Sequence, residues 1–232
     1  MKSVLLSGSY KKIDIPLEII KFIKNNLNHE YNISFIAADF KGYFDTDKFV
    51  KKLLDAFHSN GMSFNNISIL DSRLKKYDMI ENIKNSNIIF LLGGDTLKQI
   101  KSIKNYGLKK YIYDANKIVI GISAGAINMA KKVILAKDED DNIPNLSIYN
   151  GIGLTDINIE PHCEFKNEKH WKDLEEASEI GKILLMHDNC YIIIDNDIIS
   201  YYGDYCFIEN KKLYYKNNTI SLEEFIKEIS YD

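Results

Sequence analysis

Short apolar runs alternating with amphipathic stretches fill the first half of the chain. Val4-Leu5-Leu6 reads as a buried strand closed by Ser7-Gly8-Ser9, and from Pro16 to Leu27 the residues Leu17, Ile20, Ile23 and Leu27 recur at the spacing of one helix face. Ile33 to Ala38 predicts a second strand, and Asp45-Thr46 offers a cap for a helix carrying Phe49, Val50, Leu53, Leu54 and Phe57 to a stop at Asn60-Gly61. Ile67 to Leu70 is a third strand, Tyr77 to Asn85 a short helix, and Ile88 to Leu92 a fourth strand running into Gly93-Gly94-Asp95-Thr96. Leu97 to Ala115 predicts a helix or helix pair broken near Gly107. Ile118-Val119-Ile120 is a further strand, ending in Gly121-Ile122-Ser123-Ala124-Gly125 and passing directly into a helix-forming segment. This alternation predicts an α/β fold, a three-layer sandwich around a mostly parallel sheet covered on both faces.

The second half reads differently. Lys137 to Asn142 is a charged loop leading to Pro144, and Ile157-Asn158-Ile159 is a strand ending in Glu160-Pro161-His162. Pro161 cannot donate to a ladder, so the strand stops there and a loop presents His162. Lys172 to Lys182 is helical. From Ile183 onward short apolar runs separated by turns, including Asn196-Asp197 and Glu209-Asn210, predict a C-terminal antiparallel meander extending the sheet at one edge. Ser221-Leu222-Glu223-Glu224 is a capping box opening a last helix. No repeat or linker interrupts the 232 residues, so residues 1–232 are expected to form a single domain.

Composition removes several function classes. A formal charge of −3, with lysines scattered among acids, leaves no basic footprint for nucleic acid. No segment approaches the roughly 18 apolar residues of a membrane span, and the short apolar N-terminal run ends at Gly8-Ser9, so a cytoplasmic, unexported protein is expected, with no membrane partner. Three widely spaced cysteines, Cys163, Cys190 and Cys206, argue against a disulfide framework and a zinc knuckle. Homodimerisation is left open by the sequence.

The segment around Ser123 carries the chemistry. Strand, sharp turn and helix with a serine at the apex is a nucleophile elbow, and its small neighbours Gly121, Ala124 and Gly125 let strand and helix pass close together. A serine hydroxyl needs a base, an acid that orients the base, and donors for the oxyanion. His162, 39 residues on, is the candidate base, and Asp138, Glu139, Asp140 and Asp141 are the candidate acids. Backbone N–H groups of Ala124 and of the Gly93-Gly94 turn are the candidate oxyanion donors. In open α/β sheets ligands sit beyond the carboxyl ends of the strands, where both turns fall. Each feature also has a plain structural reading: a tight turn, a surface histidine, a solvated acidic loop. His29, His58, His170 and His187 have no ligand spacing with another His or Cys and read as structural or surface residues. Cys163, beside His162, lies outside the elbow and reads as a small buried residue.

Together, FLLGGDT at Phe90 to Thr96, GISAGA at Gly121 to Ala126 and IEPH at Ile159 to His162 resemble peptidase family S51. That family includes aspartyl dipeptidase and cyanophycinase and has the class I glutamine amidotransferase-like fold. The resemblance spans roughly the first strand to the Asp195 region. It implies Ser123 as nucleophile, His162 as base and an acid in the loop after the elbow helix, with Asp138 the first choice and Asp140 or Asp141 in reserve. It also implies a short-peptide substrate with no metal or organic cofactor. Aspartyl dipeptidase carries arginine-bearing sequence shortly after its histidine, suited to gripping a carboxylate. Here Lys166 to Glu176 contains no arginine, so the resemblance carries the reaction and not strict preference for N-terminal Asp.

The expected activity is therefore a serine peptidase of dipeptidase or aminopeptidase type, the acidic loop favouring a free cationic N-terminus if it borders the cleft. An α/β-hydrolase esterase shares the elbow and the order Ser, acid, His, but there acid and histidine come from late strands, and 39 residues leaves little room. A catalytically silent binding protein of the same fold would show loss of nucleophile or base, and neither is lost. Glutamine amidotransferase chemistry uses a cysteine at the elbow, where this chain has Ser123.

Overall fold

Continuous runs of buried β-branched residues have no polar face to turn to water, so they form strands covered on both sides. In the computed structural model, which describes residues 2–8, 13–28, 30–114, 116–138, 143–163, 168–215, 218–221 and 224, five strands make the parallel part of the main sheet, four of them largely buried and the edge strand partly exposed. They are β1 (Lys2–Leu6), β2 (Asn32–Ile36), β3 (Asn66–Leu70), β4 (Ile88–Leu91) and β5 (Ile118–Ile122), connected through α1 (Leu17–Asn26), α2 (Tyr43–Ser59), α3 (Lys76–Asn85), α4 (Thr96–Tyr106) and α5 (Lys109–Ile112). The elbow turn α6 (Ala124–Ile127) follows, then the antiparallel pair β6 (Lys132–Leu135) and β7 (Ser147–Asn150), then β8 (Asn158–Glu160) and α7 (Glu168–Ile180). Five further strands follow: β9 (Ile183–Met186), β10 (Tyr191–Asp195), β11 (Ile198–Tyr202), β12 (Tyr205–Glu209) and β13 (Lys212–Tyr215). A last strand, β14 (Asn218–Ser221), completes the series.

The main sheet has the order β11-β10-β1-β5-β4-β2-β3, with β10 antiparallel to β1. Alternate residues of each strand enter opposite cores. Val4 and Leu6, Ile118, Ile120 and Ile122, and Ile88 and Phe90 face one side with Ile19 and Ile23 of α1 and Leu53 and Phe57 of α2. Leu5, Val119, Ile89 and Leu91 face the other side with Met79, Ile83, Ile100, Ile103 and Ala126. This period-two partition is the three-layer arrangement expected from the sequence.

Several boundaries differ from expectation. Helix α2 starts after Gly42, so Asp45 and Thr46 lie in its first turn, where Asp45 faces the positive end of the helix dipole. The elbow segment is a single helical turn, and β6 and β7 occupy chain to which the sequence pattern assigns no element. The late strands do not all extend one edge. β10 and β11 join the main sheet, whereas β8, β9, β12, β13 and β14 build a second sheet in the order β14-β13-β12-β9-β8, with β8 and β9 parallel. Trp171, Leu174 and Ala177 of α7 cover one face of that second sheet through Leu185, Cys206 and Ile208. Ile159, Leu184 and Met186 on its other face join the main core. Gly107, at φ 66°, ends α4 as expected. Ser221 and Glu224 exchange the capping-box bonds, Ser221 Oγ donating to Glu224 Oε2 at 2.7 Å, and the helix expected after them lies outside the described residues. Among the described residues no helix is long and apolar enough to cross a membrane.

The chain's one arginine is a structural clamp. Arg73 Nη1 and Nη2 bond the Asp47 carboxylate of α2 at 2.8 and 2.7 Å, while Nε and Nη2 hold the fully buried Asp71 at 3.0 and 2.6 Å. Arg73→Leu strands the Asp71 carboxylate. The expected loss is about 2–3 kcal/mol in urea unfolding, below the roughly 3–5 kcal/mol of a fully buried pair because the guanidinium side is partly solvated.

Candidate active site

The site is assembled on the carboxyl end of β1. Ser123 N–H donates to Leu6 O at 2.9 Å, His162 N–H donates to Ser7 Oγ at 2.9 Å, and Asn189 N–H donates to Gly8 O at 2.8 Å. Ser7 Oγ in turn donates to Met186 O at 3.3 Å, and Ser7 N–H to Cys190 O at 2.9 Å. Three consecutive residues thus bind the elbow, the loop after β8 and the β9–β10 turn. Gly8 has φ 97°, and a Cβ there would lie 3.3 Å from His162 Cε1 and 3.2 Å from Ile122 Cγ1, so the imidazole packs close against this backbone.

Ser123 follows β5 with φ 49° and ψ −118°, a conformation costing a non-glycine residue about 1–3 kcal/mol. Close packing enforces it. A Cβ on Gly125 would run into the Leu91 carbonyl, so only glycine lets α6 cross β4 at this distance. His162 also has a positive φ, 57°, at the end of Glu160-Pro161. Its Nδ1 lies 2.7 Å from Asp188 Oδ1, with the two side chains 15% and 26% exposed.

Asp188, which the sequence pattern did not single out, is the carboxylate that meets His162 Nδ1. The parallel register pairs Glu160 with Leu185, and continuing it residue for residue sets His162 level with His187, one before Asp188. Both side chains therefore emerge at the same end of one parallel pair. A signal was present in Met186-His187-Asp188-Asn189, where a carboxylate follows a buried strand and enters a turn at Asn189, φ 66°. Asp138 does not meet His162. Its backbone pairs with Ile143 across the neck of the acidic loop, and its carboxylate groups with Glu160 and His170. Glu139, Asp140 and Asp141 lie outside the described residues.

The other sequence candidates converge. A Cβ on Gly93 would be 3.4 Å from Ser123 Cβ and 3.3 Å from Ile122 O, which puts the Gly93-Gly94 turn directly beside the serine. Gly94, φ 132°, rests on Ala38, and Ala124 begins α6, where a backbone N–H has no intrahelical acceptor. Asp95 caps α4 by accepting from Lys98 N–H at 2.8 Å. A fully buried amide pair fixes the turn relative to the elbow. Gln99 Nε2 donates to Leu92 O at 2.8 Å, while Asn128 Nδ2 donates to Gln99 Oε1 at 3.1 Å and to Thr96 O at 2.9 Å. Tyr149 Oη donates to Asn128 Oδ1 at 2.9 Å, and burial raises its phenol above the ordinary value. Beyond Gly94 a recess is lined by Asp95, Thr96, Lys98, Lys101 and Ile143.

The nearby thiols do not compete as nucleophiles. Cys163 is fully buried, and burial pushes the Cys190 thiol up to about 11 while its Sγ donates to Asp204 O.

The family model of peptidase family S51 matches residues 4–201. Among solved structures, a peptidase E candidate from Listeria monocytogenes EGD-e has a TM-score of 0.65 at 21% identity, over 88% of this chain and 98% of that one. A peptidase from an acI-B1 Actinobacterium has a TM-score of 0.66 at 15% identity, over 95% and 96%. At these identities the likeness is one of fold. No curated protein matches the chain significantly.

Two serines, Ser3 within β1 and Ser7 directly after it, test the scaffold. Ser7→Ala leaves the His162 N–H without its acceptor and is expected to cost about 1–3 kcal/mol in urea unfolding. Ser3→Ala removes a buried hydroxyl that has no hydrogen-bond partner among the described residues, and is expected to be neutral or stabilising.

Proposed function

The chain belongs to peptidase family S51, and from that premise we propose that it is a serine peptidase cleaving short peptides through an acyl-enzyme on Ser123. The observation that carries this reading is the 2.7 Å contact between His162 Nδ1 and Asp188 Oδ1, held on the same strand end as the strained Ser123 backbone. With Nδ1–H donated to Asp188, Nε2 is the basic nitrogen that takes the Ser123 proton. The serine oxygen attacks the scissile carbonyl, and N–H groups of Gly93, Gly94 and Ala124 receive the oxyanion. The imidazolium, stabilised by Asp188, then protonates the leaving amine. Water, deprotonated by His162, releases the acid and restores Ser123.

Asp188 replaces Asp138 in this scheme and makes the chain order Ser, His, Asp. That order departs from the Ser, acid, His order of α/β-hydrolases, which counts against the esterase reading. Ile143, at the far end of the acidic loop, lines the recess beyond Gly94, which supports the loop's bordering the cleft; the preference for peptides with a free, cationic N-terminus rests on the loop's acids, against Lys98 and Lys101 of the recess.

A library of dipeptides and tripeptides, free and N-acetylated, tests the scheme. Ser123→Ala is expected to lower kcat by at least about 10³-fold. Asp188→Asn is expected to lower it by about 10²–10⁴-fold, through the wrong imidazole tautomer, and by more than Asp138→Asn does. Cleavage by Ser123→Ala at the wild-type rate overturns the serine mechanism. A larger effect at Asp138 than at Asp188 returns the acid to the loop. Folded wild-type protein that cleaves nothing and resists a fluorophosphonate at Ser123 is a silent binding protein.

A further inference from the structure

A second group of titratable side chains lies away from Ser123, and it joins three segments distant in sequence. Asp138 stands after β6 at the neck of the acidic loop, Glu160 ends β8, and His170 lies near the start of α7. One carboxylate oxygen from each acid and one imidazole nitrogen all lie within 4.8 Å of one another, with His170 Nε2 3.9 Å from Glu160 Oε1. Glu160 is buried, 8% exposed, and the other two are half-buried.

We propose that Asp138, Glu160 and His170 bind a divalent transition-metal ion of the zinc class. Geometry and charge both favour it. A cation at the centre of the three atoms is within about 3 Å of each, and shifts of less than about 1 Å per side chain reach the ~2.0–2.2 Å of Zn–N and Zn–O bonds. Two carboxylates and a neutral imidazole form a donor set of charge −2, which suits a divalent ion. The imidazole selects against Mg²⁺ and Ca²⁺, which take oxygen ligands, and in favour of Zn²⁺, Co²⁺ or Ni²⁺, with water completing the shell.

The ion's role is to position, not to react. Glu160 is two residues before His162, and Asp138 closes the loop whose other end, Ile143, reaches the recess beyond Gly94. Binding ties the loop neck, β8 and α7 at one point, two residues before His162. Nothing in this assignment depends on the peptidase reading, because binding is measured without substrate.

The test uses the untagged full chain, stripped with a chelator and dialysed, then titrated with Zn²⁺ by calorimetry and with Co²⁺ by visible absorption. The expected result is one ion per chain, Co²⁺ d–d bands of a low-symmetry N,O site, and a rise in Tm on Zn²⁺ addition. Losing an indirect ligand partner costs metal affinity about 10–100-fold, so His170→Ala and Glu160→Gln, which remove direct ligands, are each expected to weaken binding by at least about 100-fold. Asp138→Asn, on the partly exposed loop neck, supplies the same readout if the Glu160 variant does not fold. Absence of stoichiometric binding to folded wild-type protein overturns the proposal. Binding unchanged by His170→Ala and Asp138→Asn overturns it as well.

Discussion

The carboxyl end of β1 is the constraint on which the site depends. A strand end exposes backbone donors and acceptors that must find partners once the ladder stops, and here Leu6, Ser7 and Gly8 find them in the elbow, the histidine loop and the acid turn. Ser7 contributes most, since its hydroxyl accepts from His162 N–H and donates to Met186 O while its own N–H reaches Cys190 O. Residues separated by 26 and 39 positions are thereby set with hydrogen-bond precision, which tertiary packing of loops alone does not supply.

Both Ser123 and His162 sit at positive φ, and such conformations persist only where the surroundings over-determine them. The surroundings here are crowded. A Cβ on Gly121 would lie 2.6 Å from Met129 Sδ, and Gly125 touches the Leu91 carbonyl, so β4, β5 and α6 pack at a distance that leaves the chain one path through Ser123. The buried Gln99 and Asn128 amides continue this rigidity to the Gly93-Gly94 turn. Strain at Ser123 is thus offset by apolar burial on both faces of β5, every residue of which is buried.

The parallel sheet, the elbow and the meeting of Ser123 with Gly93 were legible in the sequence for one reason. Each strand of the parallel part of the main sheet ends in apolar residues, and its carboxyl end must face the ligand side whatever the details of the helices. The second sheet was not legible. Short apolar strands such as Ile183 to Met186 and Tyr191 to Asp195 carry the same pattern whether they extend the main sheet or build another, and only the parallel pairing of β8 with β9 sends Asp188 to His162. β6 and β7 escaped notice because they are four residues each and β7 is exposed on alternate positions beside a charged loop. His170 escaped because ligand spacing was sought along the chain, whereas its neighbours Asp138 and Glu160 come from elsewhere in the fold.

The division of the carboxylates follows from a single turn. In an extended strand Glu160 and His162 would point to the same face, but Pro161 ends the ladder and His162, at φ 57°, is turned back onto β1. Glu160 instead meets His170 on α7, together with Asp138 at the neck of the acidic loop. The loop is therefore anchored to the α7 side of β8 while the imidazole is anchored to the β1 side and oriented by Asp188. The carboxylate on the imidazole, Asp188, is thus separate from Asp138 and Glu160, which group with His170, so a change at Asp138 need not disturb the hydrogen bond between Asp188 and His162.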